Sequence, residues 1–249
     1  MVLGSGLDDY ISQFKVEIEI PFKEIPNWKM GKVQGHFSKL TIGGLKDSPK
    51  TYVIVMQGRL HYYEGHSLFD VTFSVRVFKA LGIENLILTN ACGSLNSKYE
   101  KGDIVLINDH VNMTGVNPLI GMPFKPMFVA MDNCYDKSVR KSFNKIAFEL
   151  DIVTHEGVYI GCSGPTFETR AEYKMFQLIG GDVCGMSTVP SNIVANQVNL
   201  KCIAVGIVAN KGLNLVSSKA KHEDVLRNVR QALPNLCKIL NKLLTILGK

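Results

Sequence analysis

The chain of 249 residues is 46% apolar and 20% charged, with 22 glycines and 9 prolines. This balance is typical of a globular protein and excludes disordered, collagen-like and coiled-coil chains. No apolar run approaches the roughly 18 residues that a membrane-spanning helix needs, and the first residues lack the basic and apolar regions of a signal peptide. With no repeat or linker to divide it, we expect residues 1–249 to form one soluble domain with no membrane partner.

The formal net charge of +6 comes from 28 Lys and Arg against 22 Asp and Glu. The lysines are scattered, without clustered arginines or interleaved aromatic residues, so no specific pattern supports nucleic-acid binding. A solvated basic surface and a preference for a small anion both remain as interpretations. The 6 cysteines form no CxxC pair, which is typical of buried thiols in a reducing compartment and predicts a cytosolic protein without a clustered metal site.

Strand and helix patterns alternate along the chain. A β-rich stretch at 33–42 precedes a turn at 46–50 and a strand at 52–56. Helical spacing of apolar residues predicts helices at 68–81, 132–150, 168–179, 189–199 and 222–246. Short apolar runs predict strands at 85–89, 103–107, 158–160, 183–186 and 202–208. The predicted fold class is therefore α/β, with a mixed, mainly parallel twisted central sheet that helices cover on both faces.

The first glycine-rich loop is Gly4-Ser5-Gly6-Leu7. Its glycines let successive backbone N–H groups converge on an anion, and Ser5 adds a hydroxyl donor. An ordinary turn is the alternative interpretation. No third glycine follows at the spacing of a dinucleotide-binding fingerprint, so a nucleotide-dependent dehydrogenase is disfavoured.

The segment 58–66 follows a predicted strand and carries two basic residues. Arg59 and His61 alternate, so on an extended backbone both side chains would face the same anion. Glu64 is close enough in sequence to orient His61. A solvated surface cluster is the alternative.

Three more segments place small or polar residues at the ends of elements. Residues 89–95 end a strand with small side chains, 164–169 set a carboxylate at a helix start, and 185–190 set two hydroxyls at another. The alternatives are a tight strand exit, a favourable helix-dipole contact and an N-cap. Asn210 closes the last strand, and His222 precedes the last helix, where it could equally be a surface residue.

Together and in this order, these segments resemble the trimeric purine nucleoside phosphorylases. The resemblance extends from residue 2 to about residue 240 and rests on 4–7, 58–65, 89–95, 164–172, 185–190 and 209–211. It implies phosphorolysis of inosine, guanosine and their 2′-deoxy forms to a purine base and (deoxy)ribose 1-phosphate. It also implies purine nucleosides and phosphate as small-molecule partners, no cofactor, no metal and a homotrimer.

The resemblance also assigns roles to single residues. Phosphate is expected to bind to Ser5, Arg59, His61, the backbone of Ala91 and Ser187. Contacts to the ribose are expected from Tyr63, Met186 and His222, with Phe128 reaching over from a neighbouring subunit. The walls of the sugar and base pocket are expected to be Tyr159, Phe167 and Val225. The catalytic set is His61 together with the two residues that would bind the base, Glu168 and Asn210.

Base selection is expected to depend on Glu168 and Asn210. An amide at Asn210 can serve both N7 and O6 of a 6-oxopurine, and the Glu168 carboxylate can accept a hydrogen bond from N1–H. Adenine lacks that proton, and the unpaired polar contact would cost about 1–3 kcal/mol. The related methylthioadenosine phosphorylases have an acid in place of Asn210, so this residue favours inosine and guanosine.

Three features depart from the family pattern. The chain begins about two residues before the loop at 4–7, Ala209 stands where the family usually has Thr, and the loop between 117 and 128 is short. The first departure leaves a catalytically impaired nucleoside- or phosphate-binding relative as an alternative to an active enzyme. Specificity like that of the methylthioadenosine phosphorylases is a second alternative.

Overall fold

The computed structural model describes residues 1–31, 37–211 and 222–248, apart from the side chains of Pro49, His222 and Glu223. Across these ranges the strands form one 9-stranded sheet. Its strands are β1 (Val2–Leu3), β2 (Phe14–Pro21), β3 (Lys39–Leu45), β4 (Ser48–Gln57), β5 (Asn85–Ser94), β6 (Ile104–Asn112), β7 (His155–Gly161), β8 (Val183–Gly185) and β9 (Lys201–Lys211). The helices are α1 (Leu68–Ala80), α2 (Lys137–Glu149), α3 (Arg170–Leu178), α4 (Thr188–Gln197) and α5 (His222–Leu247).

The sheet combines an open half with a closed ring. Strands β2, β3, β4, β1 and β5 follow one another across the open half, and β5, β8, β7, β6 and β9 complete a ring because β9 also pairs with β5. The pairs β1–β4, β1–β5, β5–β9, β6–β7 and β7–β8 are parallel, and the remaining pairs are antiparallel. The predicted mixed α/β sheet is confirmed.

Helices pack against both faces of this sheet. Phe143 of α2 and Leu240 of α5 lie in one buried apolar cluster with the strands, and Phe78 of α1 and Ile193 of α4 lie in the other. Within the described ranges, no helix has both the length and the apolar character needed to cross a bilayer.

Most predicted elements appear near their expected positions, with instructive differences at the ends. The helix predicted from residue 132 begins only at Lys137, because the Asp136 side chain accepts a hydrogen bond from the Val139 N–H and caps the first turn. The turn predicted at 46–50 is wrong in its second half, since Ser48 already begins β4 and lies opposite Leu45. The strand predicted at 33–42 is observed from Lys39, and residues 32–36 lie outside the described ranges.

The sequence analysis missed β2. Its residues alternate between apolar and charged, but Val16 and Ile18 are exposed because β2 forms an edge of the sheet. This alternation is itself the pattern of a strand, so β2 could have been predicted from the sequence.

Two phenylalanines on α2 allow a matched test of this packing. Phe143 is completely buried, whereas Phe148 is 86% exposed. We predict that Phe143→Ala lowers the free energy of unfolding by about 3–5 kcal/mol, because it removes buried surface and leaves a cavity. Phe148→Ala should change it by no more than about 0.5 kcal/mol. Urea unfolding of both variants measures the difference, and equal losses would contradict the observed orientation of α2.

Candidate active site

One cavity, of about 260 Å³, gathers most of the residues predicted to form a site. It lies where β5, β8 and β9 end and where α4 begins. The predicted residues that line it are Ser5, Arg59, His61, Tyr63, Ala91, Phe167, Glu168, Met186, Ser187, Asn210 and Val225. A larger groove of about 910 Å³ between α2, α5 and residues 8–13 contains none of them, so size alone would point to the wrong place.

Arg59 is fixed at one end of this cavity. Its buried guanidinium donates from Nη2 to the Thr89 carbonyl at 2.7 Å, and the Thr89 hydroxyl accepts from the Gly4 N–H at 2.9 Å. A methyl group on Gly4 would lie 2.6 Å from the carbonyl oxygen of Thr89 and 2.9 Å from Nη2 of Arg59. The loop at 4–7 therefore needs glycine at this position to lie against both β5 and the guanidinium.

His61 lies beside Arg59 and is oriented by Glu64. The Glu64 carboxylate accepts from the His61 backbone N–H at 2.8 Å and lies 3.1 Å from Nδ1, while the ring stacks on Tyr63 at 4.8 Å between centroids. Burial lowers the pKa of His61, and Arg59 lowers it further, although Glu64 acts in the opposite direction. A neutral imidazole with its proton on Nδ1 toward Glu64 presents Nε2 as an acceptor, which suits a hydroxyl of protonated phosphate.

The N-terminus of α4 points at the same end of the cavity. Ser187 occupies the N-cap position, but its side chain makes no capping hydrogen bond, and the next residue, Thr188, accepts from the Asn90 amide at 2.9 Å. The unpaired N–H groups and the dipole of a helix start favour an anion. Arg59, His61 and Ser187 therefore line an end of the cavity that is suited to phosphate.

The opposite end of the cavity is built on a β-bulge in β9. Gly93 of β5 lies opposite Asn210, while its neighbour Cys92 lies opposite Val208, so Ala209 is an extra residue in β9. A methyl group on Gly93 would lie 3.5 Å from both Nδ2 and Oδ1 of Asn210. The Asn210 amide thus lies next to Gly93, and Asn210 lines the cavity.

Glu168 lies in a pocket of neutral donors near Asn210. After burial itself, the charge of Glu168 is the largest influence that raises the pKa of Cys162, which reaches about 12. Glu168 raises the pKa of the buried Cys184 in the same way and also acts on Tyr173. Within the described part of the chain, Glu168 forms no ion pair. Glu168 therefore lines the cavity among neutral side chains, and a carboxylate there is a hydrogen-bond acceptor.

Two predicted residues, Tyr159 and Phe128, do not line the cavity, and the side chain of a third is not described. Tyr159, expected in the wall, is completely buried behind it, with its hydroxyl against Gly185. Phe128 is 91% exposed and lies on a separate surface depression. The backbone of His222 begins α5, but its side chain lies outside the described part of the structure.

Other cavity residues were not singled out from the sequence. Asn90 and Cys184 line the cavity, and Asn228 supports it from α5 by donating to the Ala209 carbonyl. The only sequence signal that could have indicated Asn228 is a polar residue among the apolar positions of a predicted helix.

Among the described residues, no three His, Cys, Asp or Glu side chains cluster as metal ligands would.

Comparison with known proteins identifies the family of the chain. Residues 2–245 match the model of the Phosphorylase superfamily. Purine nucleoside phosphorylase 1 of Geobacillus stearothermophilus is 37% identical over 252 residues, which cover 100% of this chain and 91% of that protein. The purine nucleoside phosphorylase of Rattus norvegicus is 40% identical, with 95% of this chain and 84% of that protein covered.

Solved structures show the same relationship. A Schistosoma purine nucleoside phosphorylase in complex with hypoxanthine has a TM-score of 0.90 at 35% identity and covers 100% of this chain and 90% of its own. The Schistosoma mansoni enzyme in complex with inosine has a TM-score of 0.89 at 35% identity, with 97% of this chain and 88% of that chain covered. The chain therefore belongs to the phosphorylase superfamily and, within it, to the purine nucleoside phosphorylases.

Proposed function

We propose that the protein cleaves inosine, guanosine and their 2′-deoxy forms with inorganic phosphate, giving the purine base and (deoxy)ribose 1-phosphate. The observation that carries this proposal is a single cavity lined by Arg59, His61 and Ser187 and also by Glu168 and Asn210. Arg59 bonds to Thr89 and the first residue of α4 to Asn90, whereas Asn210 lies opposite Gly93, further along β5. A nucleoside between the two ends would present its anomeric carbon to phosphate and its base to the carboxylate and amide. Holding both reactants in this way supplies much of the catalysis.

The reaction breaks the bond between C1′ and N9 and forms a bond between C1′ and a phosphate oxygen. The electron pair of the broken bond passes into the purine, so negative charge develops on the base while the sugar becomes oxocarbenium-like. Asn210 would stabilise that charge through N7 and O6. Arg59 and the start of α4 would hold the phosphate dianion close to the positively charged sugar.

Base selection follows from the chemistry of Glu168. An ionised carboxylate accepts a hydrogen bond from N1–H of hypoxanthine or guanine, but it meets the N1 lone pair of adenine. We propose that this difference, together with the Asn210 contact to O6, sets the preference for 6-oxopurines.

The proposal predicts that the purified protein releases hypoxanthine from inosine only when phosphate is present. Arg59→Ala should raise the KM for phosphate by roughly 10-fold or more, because it removes a charge-assisted contact worth about 1.5–3 kcal/mol. Hypoxanthine release and ribose 1-phosphate formation are measured together, with and without a chelator. Binding of inosine without turnover would favour the catalytically impaired relative, and activity lost to the chelator and restored by a divalent ion would contradict the expected independence of metal.

We further propose that the protein is a homotrimer located in the cytosol. The loop before Phe128 presents an apolar surface in which Ile120 is 76%, Met127 60% and Phe128 91% exposed. A neighbouring subunit would cover this surface, and closed cyclic assembly would give every subunit such a neighbour. The 6 cysteines, all of them free thiols, support a reducing compartment.

The trimer makes a specific prediction for Phe128. Phe128→Ala should lower kcat/KM for inosine by roughly 10-fold or more, since an aromatic side chain buried by the neighbour contributes about 1.5–3 kcal/mol. Phe148→Ala, at a similarly exposed phenylalanine on α2, should leave it unchanged. Mixing Phe128→Ala with Arg59→Ala subunits should restore part of the activity. In a mixed trimer, the intact pocket of a Phe128→Ala subunit can receive Phe128 from a neighbouring Arg59→Ala subunit. Full activity at the monomer mass in light scattering would contradict the trimer.

Asn210 provides the sharpest test of base selection. Asn210→Asp should slow inosine, because an ionised carboxylate opposes the charge that develops on O6. It should also reduce the difference between the inosine and adenosine rates, because an acid can accept a hydrogen bond from the 6-amino group of adenosine. Asn241→Asp, which changes an amide on α5 that hydrogen-bonds to Gln13, is the matched control. If Asn210→Asp lowered only the melting temperature and left the ratio of inosine to adenosine rates unchanged, Asn210 would be a strand-end residue without a role in selection.

A further inference from the structure

The bulge in β9 leaves Ala209 without a partner residue in the register between β5 and β9. Asn228 of α5 provides a hydrogen-bond donor for this residue, because its Nδ2 donates to the Ala209 carbonyl oxygen at 2.7 Å. Asn228 is 7% and Ala209 2% exposed. A buried carbonyl without a donor would cost free energy, so this amide stabilises the bulge.

No other described side chain hydrogen-bonds to the backbone of Ala209 or Asn210. Ala209 has only a methyl group and cannot hold the segment through its own side chain. The position of the Asn210 backbone against Gly93 therefore depends on the ladder on one side and on Asn228 on the other.

The helix that carries Asn228 also contacts both ends of the cavity. Val225, one turn earlier, lines the cavity. A methyl group on Gly6 would lie 3.3 Å from Val229 and 3.4 Å from the Leu226 carbonyl, so the loop at 4–7 packs directly on α5. The Asn228 hydrogen bond thus links β9 to the same stretch of helix that supports the phosphate end.

We propose that Asn228 is a positioning residue for base recognition, which fixes the bulge at Ala209 and thereby directs the Asn210 amide toward N7 and O6 of the purine. This inference rests on the proposed phosphorolysis of 6-oxopurine nucleosides. Asn228 itself does not line the cavity. Its effect on the reaction passes through the backbone of Ala209.

The test compares Asn228→Ala with Asn241→Ala. Both changes remove a side-chain amide of α5 that bonds to another element, but Asn241 bonds to Gln13, which lies outside the cavity. Asn228→Ala should lower kcat/KM for inosine by roughly 10-fold or more, mainly through kcat, because a small displacement of a reacting group is costly. The ratio of inosine to adenosine rates should fall, and the KM for phosphate should stay within about twofold. Asn241→Ala should lower only the melting temperature.

A double variant separates a positioning role from a general loss of stability. In an Asn210→Ala background, Asn228→Ala should cause no further loss of kcat/KM, since the residue through which it acts is already gone. Additive losses, or a lower melting temperature with an unchanged inosine-to-adenosine ratio, would overturn the proposal. If Asn228→Ala does not fold, Asn228→Asp, which keeps the shape but loses the donor, gives the same readouts. An unmodified protein that releases no hypoxanthine would instead contradict the proposed function.

Discussion

The register between β5 and β9 is the constraint on which the base end of the cavity depends. The extra residue Ala209 brings Asn210 back by one position, so that its amide faces Gly93 rather than Ser94. A methyl group at Gly93 would be in van der Waals contact with this amide at 3.5 Å and would press more closely on the Cys184 sulfur, at 3.2 Å. The strand pairing, Gly93 and the buried amide of Asn228 together position the Asn210 amide at the end of β9 as a hydrogen-bonding group.

The phosphate end of the cavity is held by different interactions. There the backbone of the loop at 4–7 packs closely on β5, and a buried arginine is held against the Thr89 carbonyl. The desolvation of Arg59, which lowers its pKa, makes an anion in the cavity a favourable partner for its positive charge. At the base end the described residues around Glu168 offer neutral donors instead. One end of the cavity therefore suits an anion, and the other suits a neutral purine that hydrogen-bonds to a carboxylate and an amide.

Much of this arrangement could be predicted from sequence, for identifiable reasons. Helices such as α1 combine apolar periodicity with a clear cap, since Ser67 accepts from the Asp70 N–H. The site motifs carry glycines and polar residues at strand ends, where the fold concentrates ligands. The edge strand β2 was missed although its apolar and charged residues alternate with the period of a strand, which is a sequence signal.

Features that depend on register or on partners were harder to predict. The bulge at Ala209 arises where two strands pair whose partner residues are 116 and 117 positions apart in sequence (Cys92 with Val208, Gly93 with Asn210), so no local pattern marks it. Asn228 was missed for the same reason, because its role exists only once α5 packs on β9. Tyr159 was expected in the wall but is completely buried, with Gly185 between its hydroxyl and the cavity, and this packing depends on how β7 and β8 pair.

The most direct test of the account is a crystal structure of the protein with hypoxanthine and ribose 1-phosphate bound. The account predicts the phosphate group against Arg59, His61 and the Ser187 hydroxyl, and the base with N1–H toward Glu168 and with N7 and O6 toward the Asn210 amide. A base that binds without contact to Asn210, or a phosphate group outside the end formed by Arg59 and α4, would contradict it.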